Sequence, residues 1–332
     1  MILVTGGSGV LGRAVVDAIL AAGHRVRVLD VHEPGVRDRR VELVTGSVTD
    51  RERVRRAVDE CVAVCHLAGR LPQARLGVAG LREVNVGGTR RVAEACVEAG
   101  VARMVFASTI EIYGAQEIDE PLDEDAERRF TGPYSRTKWE GERLLLDEFG
   151  ARGLQAACLR MPMILGPGFY HEKSTLALFW LLRHGRGLPM LRADIPVSYV
   201  SADDAAQAFV LACERDEAAG EVFNVAAGDT PVLEDFFRQL GALVGSRSRP
   251  VLVRAGAAGP GRWARTLAER LLRVPRELSD FASVGGAYSI AKARRLLGFS
   301  PARGCAEAWA DAYRWFYGQP LADRVRTFAR RA

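Results

Sequence analysis

Long apolar runs and blocks of like charge are both missing from this chain of 332 residues. A transmembrane helix needs about 20 consecutive apolar residues, and no segment approaches that length. The chain starts with a short apolar run from Met1 to Val4, which lacks the charged stretch and longer apolar region of a secretory signal peptide. We therefore expect a cytoplasmic protein without a transmembrane segment.

Cysteine is scarce as well, with six residues and no CxxC pair. Most cysteines lie in apolar stretches, without histidines at ligand spacing, which favours buried free thiols over disulfides or a zinc site. The net charge is only +5, and many basic residues occur as scattered pairs such as Arg39-Arg40. Since nucleic-acid-binding surfaces concentrate positive charge in patches, we expect that the protein binds no nucleic acid. We also expect no metal, and a small molecule as the partner.

Short β-rich runs alternate with longer amphipathic segments over the first half of the chain. This alternation predicts a parallel sheet with helices on both faces, that is, an α/β doubly wound (Rossmann) fold. The predicted strands are Ile2–Thr5, Arg25–Leu29, Val41–Thr45, Ala63–Leu67, Arg103–Ala107 and Gln155–Arg160. The predicted helices are Val10–Ala22, Arg51–Val58, Leu81–Ala99 and Ser135–Phe149.

The alternation weakens after Gly166-Pro167-Gly168, where a helix over Thr175–Leu182 follows. A strand and helix within Val197–Cys213 and a strand at Val222–Val225 are expected to return to the main sheet, and the chain from Pro231 is mostly helical. The expected domains are a dinucleotide-binding domain of residues 1–165 and about 195–228, and a smaller, discontinuous, mostly helical substrate lobe of about 166–194 and 229–332.

A GxxGxxG motif, formed by Gly6, Gly9 and Gly12, joins the first predicted strand to the first predicted helix. Glycine is needed where the backbone turns tightly, approaches a pyrophosphate, or packs helix on strand. The helix N-terminus then offers N–H groups and partial positive charge to phosphates. The candidate cofactor-binding residues here are Gly6, Ser8, Gly9, Val10, Leu11 and Gly12.

Asp30, at the end of the second predicted strand, indicates which dinucleotide binds. Its carboxylate would accept hydrogen bonds from the adenosine ribose hydroxyls and repel a 2′-phosphate, which favours NAD over NADP. Arg37, Arg39 and Arg40 lie close by, so NADP stays open as the less favoured cofactor. Further cofactor contacts are expected after the third and fourth strands, at Ser47, Val48, Leu67, Ala68 and Gly69. His66, next to them, is interpreted as part of the cofactor-lining turn.

Tyr134 and Lys138 stand four residues apart at the start of a predicted helix, so they share one face. An ammonium there would stabilise a tyrosinate and lower the pKa of the phenol, which could then move a proton while a hydride moves at nicotinamide. Thr109, at the end of the fifth strand, is a candidate to bind the substrate oxygen. Ser108 and Glu111 are neighbouring catalytic candidates, although Glu111 also fits a surface or capping role.

These segments together resemble the extended short-chain dehydrogenase/reductases, also called the NAD-dependent epimerase/dehydratase family. The matching segments include TGGSGVLG at 5–12, HLAG at 66–69, NVGGT at 85–89, STIEIYG at 108–114, YSRTK at 134–138 and LRMPMILGPG at 159–168. The resemblance implies Thr109, Tyr134 and Lys138 as the catalytic set, with Lys138 also on the nicotinamide ribose. It adds Asn85, Tyr134, Met161 and Met163 as cofactor contacts, and it implies a homodimer.

The substrate class is less sharply indicated. Sugar-nucleotide members of the family usually carry an Asn where Met163 stands and a His where Ser201 stands. The C-terminal part is instead similar to the 3β-hydroxysteroid dehydrogenase and dihydroflavonol-reductase-like branch, in a helix over Trp263–Leu272 and in Tyr288. Candidate substrate contacts are Met163, Phe179, Trp180 and Arg192.

Three functions therefore compete. The leading hypothesis is NAD(P)-dependent hydride transfer between a nicotinamide and a fairly apolar secondary alcohol or ketone. The alternative is a nucleotide-sugar epimerase or dehydratase that recycles tightly bound NAD, which Glu111 favours because dehydratase relatives carry a Glu in the matching segment. A non-catalytic NAD binder is the third, and it has no need of the complete set of Thr109, Tyr134 and Lys138.

Overall fold

Parallel strands make up the centre of the computed structural model. Residues 1–32, 38–71, 77–114, 120–169, 173–190, 192–252 and 286–320 are described. The strands are β1 (Ile2–Thr5), β2 (Val26–Asp30), β3 (Val41–Thr45), β4 (Ala63–His66), β5 (Arg103–Thr109), β6 (Gln155–Met161), β7 (Met163–Leu165), β8 (Leu188–Met190), β9 (Tyr199–Ser201), β10 (Val222–Asn224) and β11 (Pro250–Leu252).

Helices follow most of the strands, and two of them continue into π-helical turns. The α-helices are α1 (Val10–Ala21), α2 (Arg51–Val58), α3 (Gly77–Arg82), α4 (Thr89–Ala99), α5 (Pro133–Arg143), α6 (Lys173–Arg183), α7 (Ala202–Glu214), α8 (Leu233–Leu243), α9 (Ala291–Leu297) and α10 (Cys305–Gly318). The π-helical turns are Glu83–Gly88 and Leu144–Phe149, and 3₁₀ turns occupy Ile110–Tyr113, Gly150–Arg152 and Asp216–Ala218.

The main sheet has seven parallel strands in the order β10-β6-β5-β4-β1-β2-β3. Its strands are apolar on both sides because helices cover both faces, with α1 and α7 on one and α2 and α4 on the other. The chain crosses from one side of β1 to the other between β3 and β4. Ligands bind at such a switch point, outside the carboxyl ends of the strands, and β1, β4 and β5 end there.

The predicted doubly wound α/β fold is confirmed, and the six predicted strands lie within two residues of the observed ones. The strand within Val197–Cys213 is a correction, because β9 pairs with β7 in a separate two-stranded sheet rather than with the main sheet. Pro162, between β6 and β7, explains the difference. Proline has no N–H to continue the sheet ladder, so the chain leaves the main sheet at this residue.

A separate apolar cluster lies beyond the main sheet and is rich in aromatic side chains. Phe179 of α6 meets Trp309 of α10 edge to face, with ring centroids 6.1 Å apart. The proposed domain limits remain a prediction, and the helix predicted over Trp263–Leu272 lies outside the described residues. Among the helices of the described ranges, none is both long enough and apolar enough to cross a bilayer.

Candidate active site

The glycine-rich turn after β1 is packed so tightly that side chains are excluded. Gly6 has φ of +74°, and a Cβ on it would lie 2.8 Å from the nitrogen of Ala68. A Cβ on Gly12 would lie 2.2 Å from the oxygen of Gly6. Gly9 differs, since a Cβ there meets nothing among the described residues closer than the Gly6 oxygen at 3.5 Å. The bare backbone at Gly9 therefore leaves room for a ligand.

The N-terminus of α1 faces this opening. The first-turn N–H groups of Val10, Leu11 and Gly12 cannot bond within the helix, and α1 has no side-chain cap among the described residues. Unpaired N–H groups and the helix dipole favour an anion at this point. This opening between Gly9 and the N-terminus of α1, called the cradle below, therefore fits a dinucleotide pyrophosphate. Val10 lies near Gly166 and Gly168, since a Cβ on these glycines would be 3.6 and 3.8 Å from its side chain.

The carboxylate of Asp30 closes one end of the cradle. It accepts hydrogen bonds from the N–H of Ser8 at 2.9 Å and of His32 at 3.0 Å. The hydroxyl of Ser8 donates to the His32 carbonyl at 2.6 Å, which ties the glycine turn to the end of β2. Of the nearby arginines, Arg40 is paired with Asp38 at 2.8 Å, and Arg37 lies outside the described residues.

His66 is buried at the end of β4 and bonded through both ring nitrogens. Its Nε2 lies 3.0 Å from the hydroxyl of Thr89, which itself donates to the Asn85 carbonyl, so Nε2 is the donor. Its Nδ1 then accepts from the Thr5 hydroxyl at 2.7 Å, and that hydroxyl accepts from the N–H of Ala68. Burial, and secondarily the charge of Lys138, lower the pKa of His66 to about 3. The ring is therefore a neutral structural link.

Asn85 fixes the loop that follows β4. Its side-chain amide accepts from the N–H of Arg70 at 2.7 Å and donates to the Arg70 carbonyl at 3.0 Å. It also donates to the hydroxyl of Thr137 at 3.1 Å, which joins the loop to α5. A Cβ on Gly69 would lie 3.3 Å from Nζ of Lys138. The ammonium group therefore lies beside the loop backbone at Gly69.

Lys138 is buried between β5 and the loop. Its Nζ donates to the Ala107 carbonyl at 2.8 Å and lies 4.8 Å from the ring centroid of Phe106. The ring centroid of Tyr134 is 5.9 Å from the same nitrogen. Burial lowers the pKa of Lys138 to about 8, and the Glu142 carboxylate opposes that shift. The ammonium is thus close to its titration range at physiological pH.

Tyr134 departs from the sequence expectation. Burial raises the pKa of its phenol well above the ordinary value, and the Glu111 carboxylate raises it further. The Lys138 ammonium, which donates to the Ala107 carbonyl, does not offset this rise in the phenol pKa. The phenol is therefore protonated at neutral pH.

The three candidates near the end of β5 have different surroundings. The hydroxyl oxygen of Thr109 accepts from the N–H of Glu111 at 3.2 Å, and Thr109 stands beside Met161 of β6. The hydroxyl of Ser108 donates instead to the buried carboxylate of Glu142. The structure therefore directs Ser108 into the protein interior, whereas Glu111 lies within electrostatic reach of Tyr134.

The remaining predicted cofactor residues lie at several depths. Ser47 bonds to the hydroxyl of Thr49 at 2.8 Å. Val48 and Met161 are buried, and Leu67 and Ala68 are half-buried against the two faces of the main sheet. Met163 is half-buried beside the aromatic cluster that includes Phe179 and Trp309.

Three predicted substrate residues lie in other environments. Phe179 is fully buried among Trp309, Tyr313 and Phe316, so it is part of the core of the aromatic cluster. Trp180 is 51% exposed and lies against His184. The third candidate, Arg192, makes two hydrogen bonds to Asp194, at 3.0 and 3.1 Å.

Sequence reasoning missed the buried pair of Glu142 and Arg160 next to Lys138. Their side chains are each 2% exposed, and they lie 2.8 Å apart between Nη2 and Oε2. The spacing of four from Tyr134 to Lys138 continues to Glu142, and this periodicity is the signal that could have found it.

Comparison with known proteins gives a consistent result. A family model described as "NAD dependent epimerase/dehydratase family" matches residues 2–226. A 2-alkyl-3-oxoalkanoate reductase of Stenotrophomonas maltophilia is 29% identical, over 90% of this chain and 94% of that protein. A 3 beta-hydroxysteroid dehydrogenase/Delta 5→4-isomerase of Mycobacterium tuberculosis is 30% identical, over 90% and 86%. A short-chain dehydrogenase/reductase superfamily structure from Agrobacterium tumefaciens with bound NAD has a TM-score of 0.76 at 24% identity, over 98% and 99%, and supports the fold.

Proposed function

The chain belongs to the NAD-dependent epimerase/dehydratase family, and we propose that it reversibly reduces a fairly apolar ketone to a secondary alcohol with NADH. The family and the relatives are NAD-dependent dehydrogenases, reductases, epimerases or dehydratases, so the chain is such an enzyme and NAD is its cofactor. One observation carries the proposed reaction. A buried ammonium, Lys138, lies beside a protonated phenol, Tyr134, at the carboxyl edge of the sheet.

NAD fits the cradle described above. The N–H groups at the start of α1 would hold the pyrophosphate against Gly9, and Asp30 would accept the ribose hydroxyls of the adenosine half. Gly69 and Lys138 would bound the nicotinamide half, since the ammonium lies beside the loop backbone there. When bound, NAD supplies or accepts the hydride.

Proton transfer falls to Tyr134. As the carbonyl carbon of the substrate takes a hydride, its oxygen gains negative charge and takes the phenol proton. The Lys138 ammonium stabilises the tyrosinate that remains, and solvent restores the proton afterwards. The Thr109 hydroxyl, at the end of β5, holds the substrate oxygen within reach. A phenol that is protonated at neutral pH suits the reductive direction.

The residues on the side of the site away from the proposed NAD position support an apolar substrate. Met163 offers a thioether where sugar-nucleotide members carry an amide, and it adjoins the aromatic cluster of the lobe. Arg192, a candidate for a diphosphate, is engaged by Asp194. Two relatives that match over 86% and 94% of their own length are named for a 3β-hydroxysteroid and a 2-alkyl-3-oxoalkanoate, respectively.

A panel of ketones tests this proposal. The purified enzyme is given NADH and 3-oxo acids of increasing alkyl length, or steroid 3-ketones, and NADH consumption is followed. Each added methylene that becomes buried is expected to raise kcat/KM by about fourfold, which corresponds to about 0.8 kcal/mol. Failure to reduce any apolar ketone, together with tight binding of a uridine or thymidine diphosphate, would discard the proposal.

A second candidate function is sugar-nucleotide dehydration or epimerisation, which the position of Glu111 favours. Its carboxylate is close enough to Tyr134 to raise the phenol pKa, so it could serve as a second acid/base. For a dehydratase, Glu111→Gln is expected to lower product formation by about 100-fold, because one proton transfer is lost. For a ketone reductase, turnover should stay within a few-fold. Mass spectrometry of nucleotide sugars before and after incubation separates the two outcomes.

Asp30 is expected to set the preference for NADH over NADPH. Asp30→Asn should raise the KM for NADH about tenfold and lower the NADH/NADPH ratio of kcat/KM by more, since the charge that repels a 2′-phosphate is lost. Steady-state kinetics with both cofactors measures this. Asp50→Asn is the control, because it removes the same charge from the N-cap of α2, where Asn caps equally well. Equal ratios in the two variants would contradict the role of Asp30.

A further inference from the structure

A buried polar network continues from the catalytic face of α5 into the protein. Arg160 of β6 donates to the Glu142 carboxylate through Nε at 3.0 Å and Nη2 at 2.8 Å. Its Nη1 donates to the hydroxyl of Tyr113 and to the Glu124 carbonyl, each at 2.9 Å. The Ser108 hydroxyl donates to the same carboxylate. The guanidinium and the carboxylate are thus well paired, as buried charges must be.

This network adjoins Lys138 in two directions. Glu142 lies one helical turn after Lys138, on the same face of α5. The two strand residues that hold them are consecutive, since Lys138 bonds to the Ala107 carbonyl and Glu142 to the hydroxyl of Ser108. Between these bonds the helix and the strand touch, because a Cβ on Gly141 would lie 2.9 Å from Cζ of Phe106.

We infer that Glu142, fixed by Arg160 and Ser108, is a positioning residue that keeps the Lys138 ammonium protonated and pinned to the Ala107 carbonyl. This inference rests on the proposed function of Lys138. A buried pair is often replaceable by apolar side chains without loss of stability, so a paired carboxylate next to an active-site lysine calls for a functional explanation.

The charges around Lys138 support this role. Burial lowers the pKa of Lys138 to about 8, and the Glu142 carboxylate opposes that shift. Among the residues that the structure describes, the other titratable groups facing the ammonium are uncharged at neutral pH. These are the His66 imidazole on β4, the Cys158 thiol on β6, whose pKa burial raises, and the Tyr134 phenol on α5. Glu142 therefore supplies the negative charge that acts on the ammonium, with Arg160 beyond it.

The pKa of Lys138 determines the direction in which the pH profile of kcat/KM is expected to shift. Lys138 is charged below its pKa, so kcat/KM falls as the pH rises through about 8. If the Glu142 charge is removed, burial is less opposed and the pKa falls further. The alkaline limb of the profile then moves to lower pH.

The experiment compares two double variants with wild type. Glu142→Gln with Arg160→Met removes both buried charges while Gln still accepts from Ser108. Arg82→Met with Glu140→Gln removes an ion pair of 2.9 Å from the exposed side of the same helix. The buried variant is expected to shift the alkaline limb of kcat/KM down by about one pH unit, roughly a tenfold loss above the limb. The exposed variant should overlay wild type.

Thermal unfolding and NADH titration accompany the profiles, and Glu142→Leu with Arg160→Leu serves as a second form of the buried variant. Coincident limbs in a folded buried variant and in wild type would overturn the inference. So would unfolding of both buried variants with the exposed control intact, because the pair would then serve stability. Lys138→Met separates the two ideas. Wild-type turnover by Lys138→Met would contradict the proposed function. Inactivity of Lys138→Met, together with unshifted alkaline limbs in the buried double variants, would contradict this inference alone.

Discussion

Tyr134→Phe is expected to lower kcat for ketone reduction by about 1,000-fold while the NADH affinity stays within about threefold of wild type. The variant keeps the aromatic ring that lies 5.9 Å from the Lys138 ammonium, so packing and cofactor contacts are retained. It removes the O–H that would protonate the substrate oxygen. Single-turnover rates with a saturating ketone, alongside NADH fluorescence titration, measure the two quantities separately.

A matched control for this variant is Tyr317→Phe. The Tyr317 hydroxyl donates to the Phe179 carbonyl at 3.2 Å in the aromatic cluster, so the same atom is removed away from the proposed chemistry. We expect a small loss of stability, about 1 kcal/mol, with kcat unchanged. Comparable turnover by Tyr134→Phe and Tyr317→Phe would show that residue 134 is not the acid, and the proposed reaction would lose its proton donor.

The main sheet could be predicted because its signal is local. Strands buried on both faces are continuous apolar runs, and Thr5, Asp30 and Thr109 mark strand ends with polar side chains. Which strands pair with each other is not a local property of the sequence. β9 is apolar like the other strands, but the break at Pro162 sends β7 away from the main sheet, and β9 pairs with it. The sequence contains that proline, although its consequence depends on which strand lies within reach.

The candidate site was predictable to the extent that its residues stand close together in the chain. Tyr134 and Lys138 share a helical face by spacing alone, and the glycine turn precedes α1 directly. The protonation state of Tyr134 was not predictable, because it depends on how deeply the phenol is buried and on where the ammonium points. The pairing of Glu142 with Arg160 spans two elements and required the structure.

The surroundings of Ser108 and Phe179 also could not be predicted from the sequence alone. Successive residues at the end of β5 point to opposite faces of the sheet. Ser108 therefore bonds to the buried Glu142, whereas Thr109 points the other way. An apolar helix such as α6 could turn Phe179 toward a ligand or toward the lobe core, and periodicity does not distinguish the two. Its contacts with Trp309 and Phe316 place it in the core.

Gly12→Ala is expected to destabilise the protein by about 3 kcal/mol and to weaken NADH binding by at least about 100-fold. The new Cβ would lie 2.2 Å from the Gly6 oxygen and 2.6 Å from Cα of Gly7. The turn cannot retreat, because Gly6 is already packed against the backbone of Ala68. The first turn of α1 must therefore move away, and its N–H groups leave the position where the pyrophosphate is expected.

Gly9→Ala distinguishes the binding effect from the folding effect. A Cβ there has 3.5 Å of clearance from the Gly6 oxygen, so the melting temperature without cofactor should match wild type within a few degrees. The methyl group would nevertheless occupy the space assigned to the pyrophosphate, so the stabilisation by saturating NADH, about 2.7 kcal/mol at 100 times Kd, should largely disappear. Gly150→Ala, with ordinary clearance of 3.7 Å, should retain both properties. If Gly9→Ala bound NADH as wild type does, the dinucleotide would have to lie elsewhere than against the N-terminus of α1.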